Sequence, residues 1–387
     1  MASYRQLDNK KWEVTIDLGR NPATGKRMRK FKSGFKTKKE ATAFANSFSV
    51  DVENGLNVID NKILLKDFIM SWYNDYKIKT LSLNTRTNYE SRMKTYIIPQ
   101  LGNIEIGKLN TTTVQQFYND LINNNGLKPN SCKKVMETLS GCFKYAKKLK
   151  LINYMPTDIE KIHQDKERIV VWDDTQLKYF LNQIKGTQLY LPTLIISLTG
   201  LRIGEMCGLR WDNVDLEEGV IHIREQVIID KTNHKLIHSK ILKTDTAFRS
   251  ISIPRTLCNI LAEHREEEPQ SNEKGFVILD MSNSMCNPRN VSMEFTRKVT
   301  KYEYTLEDKI KNSKKEITDY MQLPQFSIHG LRHSHATILL LKGENIKVIS
   351  ERLGHKSTQI TWDTYSHVLP SMKKQTADLL DTIFDGL

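Results

Sequence analysis

The chain has 387 residues, with 58 Lys+Arg against 45 Asp+Glu and a formal net charge of +13, a length that suits two or three domains. It is 39% hydrophobic and 27% charged, enough for packed cores, and no run approaches the roughly 18 apolar residues of a membrane span. The opening MASYRQLDNKKWEV has no apolar core of a signal peptide, and Cys132, Cys142, Cys207, Cys258 and Cys286 form no Cys-x-x-Cys, which argues against secretion, a disulfide framework and a zinc site. The charge is uneven: residues 1–60 carry +5, residues 61–165 carry +7 and residues 166–387 only +1. A pI near 9.3 implies a polyanionic partner, and its placement in the first 165 residues gives that partner two modules to meet.

Taken in chain order, KWEVTIDL at residues 11–18 alternates as a strand, Asn21–Lys26 turns, and a very basic strand resumes at Arg27–Phe31. A helix from about Thr37 to Glu53 sets Ala41, Phe44, Ala45 and Phe48 on one face. This small basic sheet backed by a helix can enter a DNA major groove; Arg27, Arg29, Lys30 and Lys32 are its candidate DNA contacts. The competing reading is a charged hairpin solvated on one face.

Residues 61–165 read as helical. Leu64, Leu65, Phe68, Ile69, Trp72 and Tyr76 recur at helical spacing, and Thr85–Ile97, Thr111–Asn123 and Asn130–Leu149 follow, punctuated by Pro99, Gly102, Gly126 and Pro129. The last helix carries Lys133, Lys134, Lys144 and Lys147, candidate phosphate contacts. Residues 153–168 are polar and read as a linker. Beyond Trp172 the pattern mixes: Asp173 or Asp174 caps a helix through Ile184, Leu191–Leu198 is a buried helix, and Gly219–Ile229 and Leu236–Ile253 alternate as strands.

One chemical motif fails on inspection and a second is the minor reading. Gly102-Asn-Ile-Glu-Ile-Gly107-Lys108 has the spacing of a nucleotide-binding loop, but Leu109 stands where Ser or Thr must bind Mg²⁺ and no strand precedes it. His329 and His333 have the i, i+4 spacing of a zinc pair, but no Glu follows the first, and Arg332 would set a cation beside the metal. The arginines are the stronger signal. Arg332 and His329 stand where turn-like residues run into an apolar helix, and helix N-termini favour phosphate. Arg202 follows a buried helix and a glycine break at Gly200, and Glu205 lies one turn on, able to hold it. Taken alone, each could be a structural ion pair.

In order, TGLRIGEMCGLRW, HGLRHSHAT, ERLGHKS and TWDTYSHV resemble the motifs of tyrosine site-specific recombinases of the phage integrase family, above all integrases of Gram-positive temperate phages and integrative conjugative elements. The resemblance implies a multidomain, mainly α protein with small β-sheets. Its parts would be an arm-type DNA-binding sheet plus helix at 1–58, a helical SAM-like core-binding domain at 61–152, the linker, and an α+β catalytic domain with a C-terminal tail at 169–387. It implies a site-specific DNA recombinase that integrates, and also excises, a mobile element through a 3′-phosphotyrosyl intermediate and a Holliday junction. By position, Arg202 and Arg332 would clamp the scissile phosphate, with a further hydrogen bond from His355. His329 would be the general base and Tyr365 the nucleophile. Lys243 would be the general acid, with Lys240 its competitor, and Glu205 a supporting residue.

Such chemistry asks for no metal and no cofactor, because a phenol of pKa roughly 10 needs only a base and cationic surroundings. Implied partners are double-stranded DNA with core-type and arm-type sites, three further protomers in a homotetramer, an excisionase and a DNA-bending host factor, in the bacterial cytoplasm on the nucleoid and with no membrane. A resolvase or type IB topoisomerase-like enzyme would not need the basic N-terminal sheet, and a non-catalytic DNA-binding regulator would not need the full catalytic set. The polar 296–325 stretch is longer than the motif pattern requires. The tail carries Ala377, Leu380, Ile383 and Phe384 on one helical face, which suits docking on a neighbouring protomer.

Overall fold

A computed structural model describes residues 2–20, 27–53, 63–163, 169–240, 248–267, 275–303 and 320–365. Lys243 and the tail beyond Tyr365 lie outside the described residues. The chain divides into two units, residues 1–165 and 166–387, mainly helical with small sheets, as the sequence implied.

The N-terminal sheet has three antiparallel strands, β1 (Ala2–Gln6), β2 (Trp12–Arg20) and β3 (Arg27–Phe35). β1 gives little signal in the hydrophobic pattern, because it is five residues long and only Ala2 and Tyr4 pack against the core. Helix Lys38–Glu53 covers one face, and Val14, Ile16, Ala41, Ala45 and Phe48 are buried between them.

In the helical part the four expected segments appear at Leu65–Ser71, Leu83–Arg92, Thr111–Asn123 and Pro129–Lys148. The first two widen into π-helical turns at Trp72–Lys77 and Met93–Ile97, and Asn110 caps the third by accepting from the Thr113 amide at 2.8 Å. The aromatic residues serve the core: Trp72, Tyr73 and Phe117 are buried and Tyr89 packs against them. The polar segment expected as a linker is described through His163, and that part lies on the helical core. Tyr154 donates to the Leu109 carbonyl, Ile162 N–H donates to Tyr118 Oη at 3.1 Å, and Gln115 and Glu160 exchange two hydrogen bonds.

The second unit begins at Trp172, which is fully buried. Its amide donates to Ser334 Oγ and its indole to the Pro324 carbonyl, each at 2.9 Å, and its ring packs on Phe180 and Phe326. Asp173 then caps helix Asp174–Ile184 in a full capping box with Gln176. Helix Tyr190–Thr199 is almost wholly buried and ends at Gly200 in the left-handed region, φ +69°. That break turns the chain into the short helix Ile203–Cys207, which lies so close to the sheet that a Cβ at Gly208 would sit 2.6 Å from the Gln226 Cα.

The expected two-strand hairpin is instead broken in two. β4 (Val214–Asp215), β5 (Val220–Ile223) and β8 (Arg249–Ser252) form one antiparallel sheet, and β6 (Gln226–Ile229) and β7 (Leu236–Ser239) form another. The division falls at Arg224 and Glu225, where the Glu225 carboxylate turns to meet His238 Nε2 at 2.9 Å. Helices Arg255–Glu266, Pro288–Val299, His329–Leu341, Ile346–Leu353 and Thr358–Tyr365 complete the unit. Part of the 296–325 stretch has a role: Tyr302 and Tyr320 stack on each other, and Tyr302 meets Phe180 edge-on.

At Gly200 a methyl group would stand 2.8 Å from both the His335 ring and Leu353 Cδ2. Adding the left-handed backbone cost to the overpacking, Gly200→Ala is expected to lower stability by about 2–4 kcal/mol. A fall in the urea midpoint at unchanged m-value would measure it.

Candidate active site

Three helix termini bring the motif residues together. Gly200 ends one helix and Arg202 caps the next; His329 and Arg332 lie in the first turn of His329–Leu341; Gly354, at φ +64°, ends Ile346–Leu353 and releases His355. Each left-handed glycine stops a helix so that its last carbonyls face inward. Arg332, 2% exposed, uses them, donating to the Gly200 carbonyl at 2.6 Å and the Leu353 carbonyl at 2.5 Å. Arg202 reaches the next carbonyl, Gly354, at 3.5 Å.

Glu205 holds the cationic side. Its carboxylate, 3% exposed, accepts from Arg202 Nη1 at 2.8 Å and the Arg202 amide at 3.0 Å, and from Arg249 Nη2 at 2.8 Å. Burial pushes its pKa up, but the hydrogen bond and charge of Arg249, then Arg202, outweigh this and hold it at about 2. Arg332 is shifted the other way: burial first, then the Arg202 charge, bring its guanidinium down to about 9. The cluster is short of negative charge, which is the condition of a site built to receive an anion.

His355 is half-buried, with Nδ1 at 2.8 Å from Thr361 Oγ1; burial and the neighbouring arginines lower it to about 4. His329 is exposed, and burial of part of its ring with the charge of Arg332 lowers it as well. Tyr365 ends the last described helix, 1% exposed, packed with Ala336, Leu340, Ile349 and Leu353. Burial raises its phenol to about 12 against the lowering pull of Arg332. Trp362, on the same helix, is 46% exposed.

Two residues of this site, Arg249 and Arg352, have no role in the sequence reading, and a third, His333, has there at most a supporting one. Arg249, at the start of β8, shares Glu205 and also donates to the Arg352 carbonyl at 2.8 Å. Arg352 ties three segments, donating to Ser252 O and Leu198 O at 2.9 Å and to His335 Nε2 at 3.1 Å. His333 Nδ1 lies 2.9 Å from the Tyr365 hydroxyl. No local spacing announces these contacts, since each joins residues far apart in sequence or on separate helices. Lys240 is exposed after β7.

The three histidines of the His329 helix serve different partners, His335 being bound to the Ser197 carbonyl and Arg352. Among the described residues no cluster of three or more His, Cys, Asp or Glu could hold a metal ion, and no helix is long and apolar enough to cross a membrane.

The basic residues of the N-terminal sheet divide between its two faces. Lys30 and Lys32 lie opposite Ile16 and Val14 and extend over the Phe48 and Phe44 rings of the covering helix. Arg29 and Phe31 lie opposite Asp17 and Thr15 on the open face, where Phe31 is 59% exposed and Arg27 Nε donates to Asp17 at 2.9 Å. In the helical part Lys133, Lys144 and Lys147 share one exposed helix face, and Lys134 is exposed a quarter-turn away.

His335 gives the site an acid limit. Burial, then the Arg352 charge, lower its pKa to about 3, against about 6.5 unfolded. The unfolded chain therefore binds a proton that the fold refuses: stability is full above about pH 6.5 and falls as pH drops toward 3, by about 1.4 kcal/mol per unit. His355, lowered to about 4, adds to the same fall. Stability measured by urea unfolding between about pH 6.5 and 5 is therefore expected to fall by more than the His335 share, and His335→Gln to remove that share while the rest of the slope remains.

Residues 171–372, more than half the chain, match the Phage integrase family. Residues 64–122 match the phage integrase N-terminal SAM-like domain, and residues 2–52 an arm DNA-binding domain. A tyrosine recombinase XerC-like protein of Caldanaerobacter subterraneus is 28% identical over 99% of both chains. The ICEBs1 integrase of Bacillus subtilis is 24% identical over 98% of this chain and all of its own. The integrase of Staphylococcus phage L54a is 25% identical over 80% of this chain and 90% of its own. The fold is shared with the Tn1549 transposon integrase solved with circular intermediate DNA, at 20% identity and TM-score 0.68 over 78% of this chain and 95% of that one. It is shared too with lambda integrase solved as a tetramer on a Holliday junction, at 17% identity and TM-score 0.55 over 92% and 96%. Arginines gathered beneath a buried tyrosine, and a family match that runs through all of them, lead to one assignment: the chain belongs to the phage integrase family of tyrosine recombinases.

Proposed function

We propose that this recombinase cuts and rejoins DNA at the attachment sites of a mobile element, through a 3′-phosphotyrosyl intermediate and a Holliday junction. One observation carries the reading: Arg332, Arg202 and His355 meet along the consecutive residues Leu353, Gly354 and His355, and Tyr365 packs on that same Leu353. Arg202, with 41% of its side chain exposed, and Arg332 beneath it would take the two non-bridging oxygens of the scissile phosphate. Guanidinium suits that task because its planar donors match phosphate oxygens in pairs. His355 adds a donor, and Glu205 fixes Arg202 without meeting the phosphate. The Tyr365 oxygen attacks phosphorus and the bond to the 5′-oxygen breaks. His329 handles protons at the site by family likeness, and Lys243 protonates the leaving oxygen, with Lys240 the rival for that role. The energy of the broken bond stays in the phosphotyrosine, so rejoining needs no nucleotide.

The arm module at residues 1–58 would hold a second class of DNA site, and the 61–152 module the core site. By likeness to the lambda integrase tetramer on a Holliday junction, four protomers would act together; the family resemblance adds a DNA-bending host protein to bring arm and core sites together and an excisionase to set direction. The arm-domain match favours this reading over a simple resolvase or a relaxing enzyme, which has no second site to hold. The open sheet face, with Arg29 and Phe31, suits the major groove, where an apolar ring can meet a thymine methyl and a guanidinium can reach guanine or phosphate.

Tyr365→Phe is expected to bind attachment-site DNA with unchanged affinity yet to form no SDS-stable adduct on a nicked duplex, with or without EDTA in the wild-type control. An adduct in that variant would reject the assignment. Removing residues 1–60 should abolish arm-site binding and spare core-site adduct formation, and Arg29→Ala should lower the salt slope of arm binding by about 1. Equal losses at both kinds of site would refute the division of labour.

A further inference from the structure

The Tyr365 hydroxyl must lose a proton as it attacks, and it lies where water does not reach. The residue is 1% exposed, on a floor of Ala336, Leu340, Ile349 and Leu353. A proton from such a site goes to a group already within hydrogen-bond reach. His333 Nδ1, at 2.9 Å, is the hydroxyl's hydrogen-bond partner among the described residues, and the imidazole lies across the phenol ring at 5.8 Å between centroids. The other bases of the site are engaged elsewhere. His355 Nδ1 meets Thr361, and His335 is held between Ser197 and Arg352. His329, which the family likeness gives the proton-handling role, stands exposed and touches His333 edge-on, ring to ring at 4.9 Å and 90°. Arg332 is already a cation, able to steady the developing phenolate but not to accept its proton.

We propose that His333 is the catalytic group that takes the proton from Tyr365, with His329 beside it on the exposed side. This rests on Tyr365 being the nucleophile. In the step, the Tyr365 oxygen forms its bond to phosphorus while its proton passes to the lone pair of His333 Nδ1. The bond from phosphorus to the 5′-oxygen breaks, and that oxygen leaves with a proton from the general acid; rejoining runs the same transfers backwards. His333 and Arg332 are neighbours on one helix, so the proton acceptor and the phosphate clamp keep a fixed spacing whatever the last helix does. The imidazolium forms among Arg332, Arg202, His329 and His355, and the negative charge gathering on the phosphoryl oxygens offsets that repulsion.

The test uses the full-length chain and a nicked duplex spanning the junction of the circularised element, amplified from the host that carries the gene. His333→Ala and His333→Gln are expected to bind this duplex as the wild type does and to form adduct about 100-fold more slowly. Glutamine can keep a hydrogen bond to the phenol but cannot carry off its proton. Added imidazole should recover part of the rate in His333→Ala, and 3-fluorotyrosine at position 365, a more acidic phenol, should recover part of it in both variants. An unchanged or faster rate would overturn the proposal and make the contact a latch that restrains the tyrosine. A slow rate that neither imidazole nor the fluorinated phenol improves would overturn it in favour of packing alone. Tyr365→Phe runs alongside: an adduct surviving there would remove the nucleophile itself, a failure distinct from that of His333.

Discussion

A buried guanidinium holds this catalytic unit together. Arg332 donates to the carbonyls of Gly200 and Leu353, each at the end of a helix, and so fastens three segments that are far apart in the chain. Burying a cation costs several kcal/mol unless it is paired, and here its nearest partners are neutral carbonyls. Glu205 supplies a carboxylate, but that carboxylate is shared by Arg202 and Arg249. The result is a folded site with three arginines, Arg202, Arg249 and Arg332, gathered around a single carboxylate. A phosphodiester would complete it, so the interaction that organises the fold is also the one that leaves room for the substrate.

The same economy explains the distribution of charge along the chain. The catalytic unit is nearly neutral in sum, yet its arginines concentrate around one point. The first 165 residues carry almost all the excess, spread over an exposed helix face and a three-stranded sheet. On that sheet, cross-strand register rather than residue type separates the lysines, whose ammonium groups lie over the helix aromatics, from Arg29 and Phe31 on the open face. An ammonium group is drawn to the negative face of an aromatic ring.

Supporting groups are as specific as the motif residues. Arg249 lies outside the quoted motifs and Arg352 lies inside one without a role assigned to it, yet each bonds backbone carbonyls or the carboxylate beneath the site. Trp172 anchors the start of the unit on Ser334, in the same helix as His329, Arg332 and His333. These contacts fix the orientation of that helix, and a shift of the helix would move every charged group at once.

Signals local to the chain suffice for most of the elements. Local rules were enough for the Asp173 cap, the glycine break before Arg202, the helices of residues 61–165 and the apolar stripe of helix Lys38–Glu53, because capping, periodicity and backbone freedom act within a few residues. The broken strand pattern after Gly219, the added strand β1 and the folding-back of the polar segment after Asn153 depend on partners distant in the chain, and alternation cannot reveal those. For the same reason, which histidine meets Tyr365, which arginines share Glu205 and which face of the basic sheet is open follow from packing. A hydrogen bond between residues on separate helices is set by packing, and packing leaves no spacing in the sequence to read.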